Sequence, residues 1–257
     1  MTTALVTGAT AGIGAALAQQ LAARGCDLVL VARDAHRLAR AAEDLHDRYD
    51  VDVEVLPVDL VTDEGCNRIE WRLGEGVDLL VNNAGLGLGG AFHDNAREDE
   101  ERLLRLNVRA VLRLTHAALP PMLARGRGQV LNVSSVAGFV PGASGSTYGA
   151  SKAWVTSFSK SLHAQYAPRG VSVTAVCPGL TRTEFHERAG VDVQGVPGPF
   201  WLDARTVARA ALDALDAGRP LSVPGAPYKA VVAFSRLLPF GLQARLGRGA
   251  GRRRGPR

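Results

Sequence analysis

Short runs of Val, Leu and Ala alternate along this chain with longer stretches in which apolar positions recur every three or four residues. The short runs predict strands over Ala4–Thr7, Asp27–Ala32, Val53–Val58, Leu79–Val81, Gly128–Val133, Val171–Val176 and Leu221–Val223. The longer ones predict helices over Gly12–Arg24, Ala35–Tyr49, Thr62–Leu73, Arg97–Ala124, Thr147–Ala167 and Ala204–Ala217. Several strand runs are continuously apolar, as expected where both faces of a parallel sheet are covered. No repeat or linker divides residues 1–225. The expectation is one α/β domain there, a doubly wound parallel sheet (Rossmann fold) of about seven strands with helices on both faces. The Gly/Pro-rich stretch Gly190–Pro199 follows the sixth strand, and a loop there would lie at the carboxyl edge of the sheet, where ligands of this architecture bind.

Composition narrows the function classes. With 46% hydrophobic and 21% charged residues in 257, the chain is globular in character. Its net charge of +5 suggests a nucleic-acid partner only until the charges are located. Residues 218–257 hold nine Lys/Arg and no acid, so residues 1–217 carry 21 cations against 25 acids, a net of −4. A basic nucleic-acid surface on the main domain is therefore not expected. Cys26, Cys66 and Cys177 form neither a disulfide framework nor a zinc spacing, and the six histidines are scattered, so no metal site is expected and a reducing cytoplasm fits. There is no secretory pattern and no apolar run of about 18 residues, which leaves a cytoplasmic protein, soluble or bound at a membrane surface.

The first strand runs into Thr7-Gly8-Ala9-Thr10-Ala11-Gly12-Ile13-Gly14, followed by a helix pattern. Glycines here allow a tight turn and a close ligand, and the helix start offers free N–H groups to a pyrophosphate. With its TGxxxGxG spacing, the chain resembles the short-chain dehydrogenase/reductase family. Further pieces carry the resemblance in order: Asp59-Leu60 after the third strand, Asn82-Asn83-Ala84-Gly85 after the fourth, and Asn107 in the long helix. Ser134-Ser135 then ends the fifth strand, Tyr148-Gly-Ala-Ser-Lys152 opens the next helix, and Pro178-Gly179 follows the sixth strand. The match spans about residues 3–183.

Tyr148 and Lys152 are four apart and share a helix face. A free tyrosine titrates near about 10, too high for a base at neutral pH, and a neighbouring ammonium is expected to lower it. Tyr148 then serves as proton donor to a carbonyl or acceptor from an alcohol. Only three residues are Lys (152, 160 and 229) against 27 Arg, so Lys152 is not background composition. The resemblance implies Ser135, thirteen residues before Tyr148, as the group polarising the substrate carbonyl, with Ser134 in a structural role. It implies that Asn107 holds a water next to the lysine. Gly8, Thr10, Gly12, Ile13, Gly14, Arg33, Asp59, Leu60, Asn83, Ala84, Gly85, Tyr148, Lys152, Pro178, Gly179 and Thr181 are the implied cofactor contacts.

Cofactor choice follows from charge. NAD users of the family usually carry an Asp after the second strand, where this chain has Ala32 and then Arg33, suited to a 2′-phosphate. NADP(H) is therefore preferred, with NAD(H) as the alternative, although Asp34 follows at once and Ala11 stands where many NADP users add a second basic residue. Substrate identity falls to Leu86–His93, Ala137–Thr147 and Glu184–Trp201, mainly apolar apart from Glu184, His186 and nearby Arg182, which favours a hydrophobic ketone or alcohol. Residues 226–246 read as a helical extension packing on the domain or a second subunit, or docking through Arg236, Arg245 and Arg248 on an anionic membrane surface. Residues 247–257 read as a disordered Gly/Arg tail. The resemblance implies a homodimer or homotetramer built on the 97–124 and 147–167 helices. The leading function is an NAD(P)-dependent oxidoreductase. A dinucleotide-sensing regulator without turnover and an epimerase or dehydratase on the same fold are the alternatives.

Overall fold

Every expected strand forms, and the central ones are buried because odd and even residues face different helix layers, while the first and last strands of the sheet stay partly exposed. In the computed structural model, which describes residues 2–141, 145–191, 193, 195–235, 238 and 241, the strands are β1 (Thr3–Thr7), β2 (Asp27–Ala32), β3 (Val53–Pro57), β4 (Leu79–Asn82), β5 (Gly128–Val133), β6 (Val171–Val176) and β7 (Leu221–Ser222). They make one sheet in the order β3-β2-β1-β4-β5-β6-β7, all pairs parallel. Ala4, Val6, Leu28, Leu30, Val81 and Leu131 point into one apolar layer, against α1 (Gly12–Ala22), α2 (Ala35–Tyr49) and α8 (Ala204–Asp216). Leu5, Val29, Leu80, Val130 and Val173 point into the other, against α3 (Asp63–Gly74) and α5 (Val111–Ala124). The central strands thus read as continuous apolar runs because neither face meets water.

Helix starts are fixed by local chemistry. Asp34, Thr62 and Asp203 cap α2, α3 and α8 by accepting hydrogen bonds from the backbone N–H of Arg37, Gly65 and Thr206. Helix α1 starts after Ala11 with no side-chain cap and no acid in its first turn, so its free N–H groups have no side-chain acceptor.

The stretch expected as one helix over Arg97–Ala124 is interrupted. It consists of α4 (Arg97–Leu104), a π-helical turn (Arg105–Ala110) and α5. The wide turn carries Asn107, and the interruption is a tertiary effect: its amide is held by a segment 21 residues away. α6 (Ser146–Tyr166) packs behind β6. Short α7 (Phe185–Arg188) precedes the Gly/Pro-rich stretch Gly190–Pro199, and a 3₁₀ turn (Gly198–Phe200) closes it. Of the C-terminal extension, α9 (Ala226–Ser235) is described, while residues 247–257 lie outside the described residues. Among the described residues no helix is long and apolar enough to cross a membrane.

Candidate active site

Sheet order reverses between β1 and β4, and the loops leaving the carboxyl ends of the strands part there around a cleft of about 1280 Å³. Thr7, at the end of β1, ties the two halves together. Its hydroxyl donates to Val81 O (3.2 Å) and accepts from the N–H groups of Asn83 (2.9 Å) and Ala84 (3.0 Å). Asn83 returns the link, its Nδ2 donating to Thr7 O (2.8 Å) and Gly8 O (3.1 Å). The end of β4 thereby holds the glycine turn in place. One end of the cleft is walled by that turn, Arg33 and Asp59, and the far end by Ser135, Tyr148 and an apolar surface.

Arg33 is exposed at the β2 end of the cleft, and its guanidinium has no ion-pair or hydrogen-bond partner among the described residues. Asp34 does not face the same space as a free acid, since its carboxylate accepts the Arg37 N–H (3.0 Å) as the α2 cap. Asp59 likewise accepts from Val61 N–H (3.0 Å) within its own turn.

At the other end, Ser135 Oγ accepts from Ala137 N–H (3.1 Å), and its side chain hydrogen-bonds the Tyr148 phenol. The Lys152 Nζ donates to Val133 O (2.9 Å) and stands 5.8 Å from the Tyr148 ring centre. Burial dominates both titrations. It pushes the Tyr148 phenol up to about 12, opposed by the Ser135 hydrogen bond, and the Lys152 ammonium down to about 8. The expectation that the lysine lowers the tyrosine is thus not met by these groups alone, because desolvation outweighs any gain from the ammonium. Ser134 is buried at the strand end, its hydroxyl donating to Lys152 O (2.7 Å). The Asn107 amide accepts from Leu86 N–H and donates to Leu86 O (both 2.8 Å), which anchors the chain just after Gly85. Asn107 Oδ1 and Lys152 Nζ both border Gly85, where a Cβ would stand 3.3 and 3.5 Å from them.

The family model for short chain dehydrogenases matches residues 2–193. The chain belongs to the short-chain dehydrogenase/reductase family. Among solved members, a short-chain dehydrogenase from Sphingobium yanoikuyae in complex with NADPH is 38% identical, covers all of this chain and 98% of its own, and superposes with a TM-score of 0.86. A bulky-bulky ketone specific alcohol dehydrogenase from Comamonas testosteroni is 33% identical with a TM-score of 0.82, covering 100% of this chain and 97% of its own. A probable NADP-dependent dehydrogenase from Haemophilus influenzae is 40% identical over 72% of this chain and 73% of its own. These relatives are named dehydrogenases, and this short-chain dehydrogenase/reductase is an oxidoreductase by the same membership.

Most residues that the family resemblance singles out reach the cleft wall of this short-chain dehydrogenase/reductase. Two do not. Gly14 is buried under the turn, packed against Gly8 O. Asn107, 1% exposed, acts behind the wall through Leu86. Of the side chains expected to face substrate, Leu86, Leu88, Val140, Phe185, His186 and Phe200 line the cleft, whereas Phe92, Phe139 and Trp201 do not. Arg182 also lies off the wall, over the Trp201 ring at 5.4 Å.

Sequence reasoning missed one whole wall. Helix α9 was expected to pack on the domain or a second subunit, or to meet a membrane surface, but not to belong to the site; it packs on the domain, and Tyr228, Ala230, Val231 and Phe234 line the cleft. Tyr228 pins it: the phenol accepts from Leu180 N–H (3.0 Å) and donates to Phe200 O (2.6 Å). Its ring occupies the space of a Gly179 side chain, where a Cβ would come within 2.0 Å. The apolar character of 226–235 was visible, but its fit over Gly179 joins residues about 50 positions apart, which no local pattern encodes.

Proposed function

We propose that the protein is an NADP(H)-dependent reductase or dehydrogenase that moves a hydride between the cofactor and a carbonyl or secondary alcohol of a hydrophobic small molecule. The observation that carries this reading is the meeting of Ser135, Tyr148 and Lys152 on one cleft wall that continues into an apolar surface. The nucleotide end fits a dinucleotide: the uncapped start of α1 offers N–H groups to a pyrophosphate, and Arg33 has no competing partner for a 2′-phosphate. The printed names of relatives that bind NADPH or take bulky ketones support the same assignment.

Bound nicotinamide supplies or accepts the hydride. Ser135 receives a hydrogen bond from Ala137 N–H, and its own proton, which lies on a long 3.5 Å bond to Pro178 O, would turn to the substrate oxygen and stabilise the charge that grows there. With its phenol at about 12, Tyr148 is protonated at neutral pH and donates to that oxygen during reduction. Lys152, anchored on Val133 O, would hold the ribose, and its ammonium stabilises the phenolate left once Tyr148 has given its proton to the substrate oxygen. Asn107 and Gly85 shape the space beside that ammonium, which suits a relay water. Leu86, Leu88, Phe185 and α9 exclude solvent and favour an apolar substrate. Exposed Leu104 and Leu112 on α4 and α5 suit these helices to an interface between copies of the chain.

The decisive experiment is NADPH oxidation with a panel of ketones graded in hydrophobicity. Turnover rising with apolar bulk is expected, and activity confined to sugars would overturn the substrate class. Arg33→Asp is expected to invert the NADPH/NADH preference in kcat/KM, a change of about 100-fold given that a charge-assisted contact is replaced by repulsion. An unchanged ratio would sink the NADP assignment.

A pH dependence follows from Lys152. Its ammonium is present below about 8 and lost above it. The Kd for NADPH is therefore expected to rise about fivefold between pH 7 and 9.5, the difference between a charge-assisted and a neutral hydrogen bond. Fluorescence titration checks this, and Lys152→Gln is expected to abolish the rise.

A further inference from the structure

Arg33 is not the only guanidinium at the nucleotide end of the cleft. Arg37 lies one turn later, on α2, and lines the same wall. Its fork meets the Glu184 carboxylate edge to edge, Nη2 to Oε1 at 2.9 Å and Nη1 to Oε2 at 3.4 Å. That two-pronged geometry is the one a guanidinium uses for a carboxylate or a phosphate alike. The partners are 147 residues apart and come from opposite sides of the sheet reversal. Glu184 belongs to the segment after β6, and that segment lies against the glycine turn: Thr183 Cγ2 is 2.8 Å from where a Gly12 side chain would begin.

We propose that Arg37 is a second reader of the cofactor's 2′-phosphate and that Glu184 holds its guanidinium ready by occupying the phosphate's place. The inference rests on the NADP(H) reading above and extends it to Arg37, which the sequence did not single out, and to Glu184, which it placed on the substrate side. Three features make the exchange favourable. First, both side chains are well exposed, at 40% and 46%, and an ion pair so wet contributes little to stability. Second, a 2′-phosphate carries more charge than a carboxylate and offers more acceptor oxygens. Third, Glu184 also pairs with Arg188, so it keeps a cation when Arg37 turns away. Asp34 adds to the negative field at Arg37, but its carboxylate makes no hydrogen bond to the guanidinium and caps α2 instead. Arg37 thereby supplies the second positive charge that the glycine turn lacks at Ala11.

The test compares calorimetric titrations of 2′,5′-ADP and 5′-AMP, which differ in the 2′-phosphate and lack the nicotinamide. Arg37→Gln is expected to weaken 2′,5′-ADP about tenfold, the scale of one charged hydrogen-bonded contact, and to leave 5′-AMP unchanged. Glu184→Gln is expected to tighten 2′,5′-ADP about threefold by removing a competitor, again without effect on 5′-AMP. Equal weakening of both nucleotides by either substitution would make the pair a strap over the cofactor and overturn the proposal. No effect of Arg37→Gln would also overturn it. Arg33→Asp, measured alongside, separates the two levels. If it abolishes discrimination while Arg37→Gln does not, only the role of Arg37 falls. If the unaltered protein does not prefer 2′,5′-ADP, the NADP(H) reading falls too.

Discussion

Tyr148→Phe is expected to lower kcat for NADPH-driven ketone reduction by a factor of about 10³, within the range that a positioned proton donor contributes. The substitution removes one oxygen and keeps the ring. That ring packs against Phe185 at 5.6 Å between centres and beside the Lys152 ammonium at 5.8 Å, contacts that phenylalanine retains. The hydroxyl's partner, Ser135, still has the Ala137 N–H, so its side chain stays in place. Fold and cofactor binding should therefore survive, with Kd for NADPH within a few-fold of the original. Burial makes this a clean test of direction as well. With the phenol pushed up to about 12, the donor form is populated across the neutral range, so reduction should not gain from added alkali. A kcat unchanged by the substitution would remove Tyr148 from proton transfer. A protein that binds NADPH yet turns over no ketone, with or without the hydroxyl, would instead fit the regulator.

What could be read from the chain depended on whether a contact is local. The central strands were legible because each is a run buried on both faces, and β2 and β6 fall on their expected limits. Tyr148 and Lys152 were legible because four residues make one helical turn, whatever surrounds them. Asn107 was legible as a residue but not as the site of a π turn, since the turn answers to Leu86 across the chain. The same limit hid the pairing of Arg37 with Glu184, which joins α2 to the segment after β6 only when the sheet is complete. It also hid α9, whose place in the cleft is fixed by Tyr228 under Gly179. For Tyr148, helix spacing revealed the neighbouring cation but not the desolvation that pushes the phenol up.

Gly14 illustrates how a residue can be right in position and different in purpose, and Gly14→Ala carries the largest expected effect on binding. The TGxxxGxG spacing suggests three glycines that let a phosphate approach. In the structure, a Cβ at position 14 would stand 2.2 Å from Gly8 O and 2.3 Å from Asn83 Nδ2. The first is backbone. The second belongs to the amide that ties β4 to the glycine turn, donating to Thr7 O and Gly8 O. Neither can yield cheaply, so an added methyl must push the turn away from the start of α1. Overpacking of this kind costs about 1–3 kcal/mol. In a chain of this size that lowers Tm by about 3–10 °C. The effect on function should exceed the effect on stability, because the displaced segment is the one proposed to offer its N–H groups to the pyrophosphate; Kd for NADPH is expected to rise about 100-fold or more through that misplacement. Gly74→Ala provides the control. It lies at the end of α3 with nothing within 4 Å of its added Cβ, and should leave both Tm and Kd near their original values. Thermal unfolding and NADPH titration on the two variants would distinguish a packing glycine from a contact glycine. If Gly14→Ala binds NADPH normally, the turn tolerates the displacement and the packing argument fails.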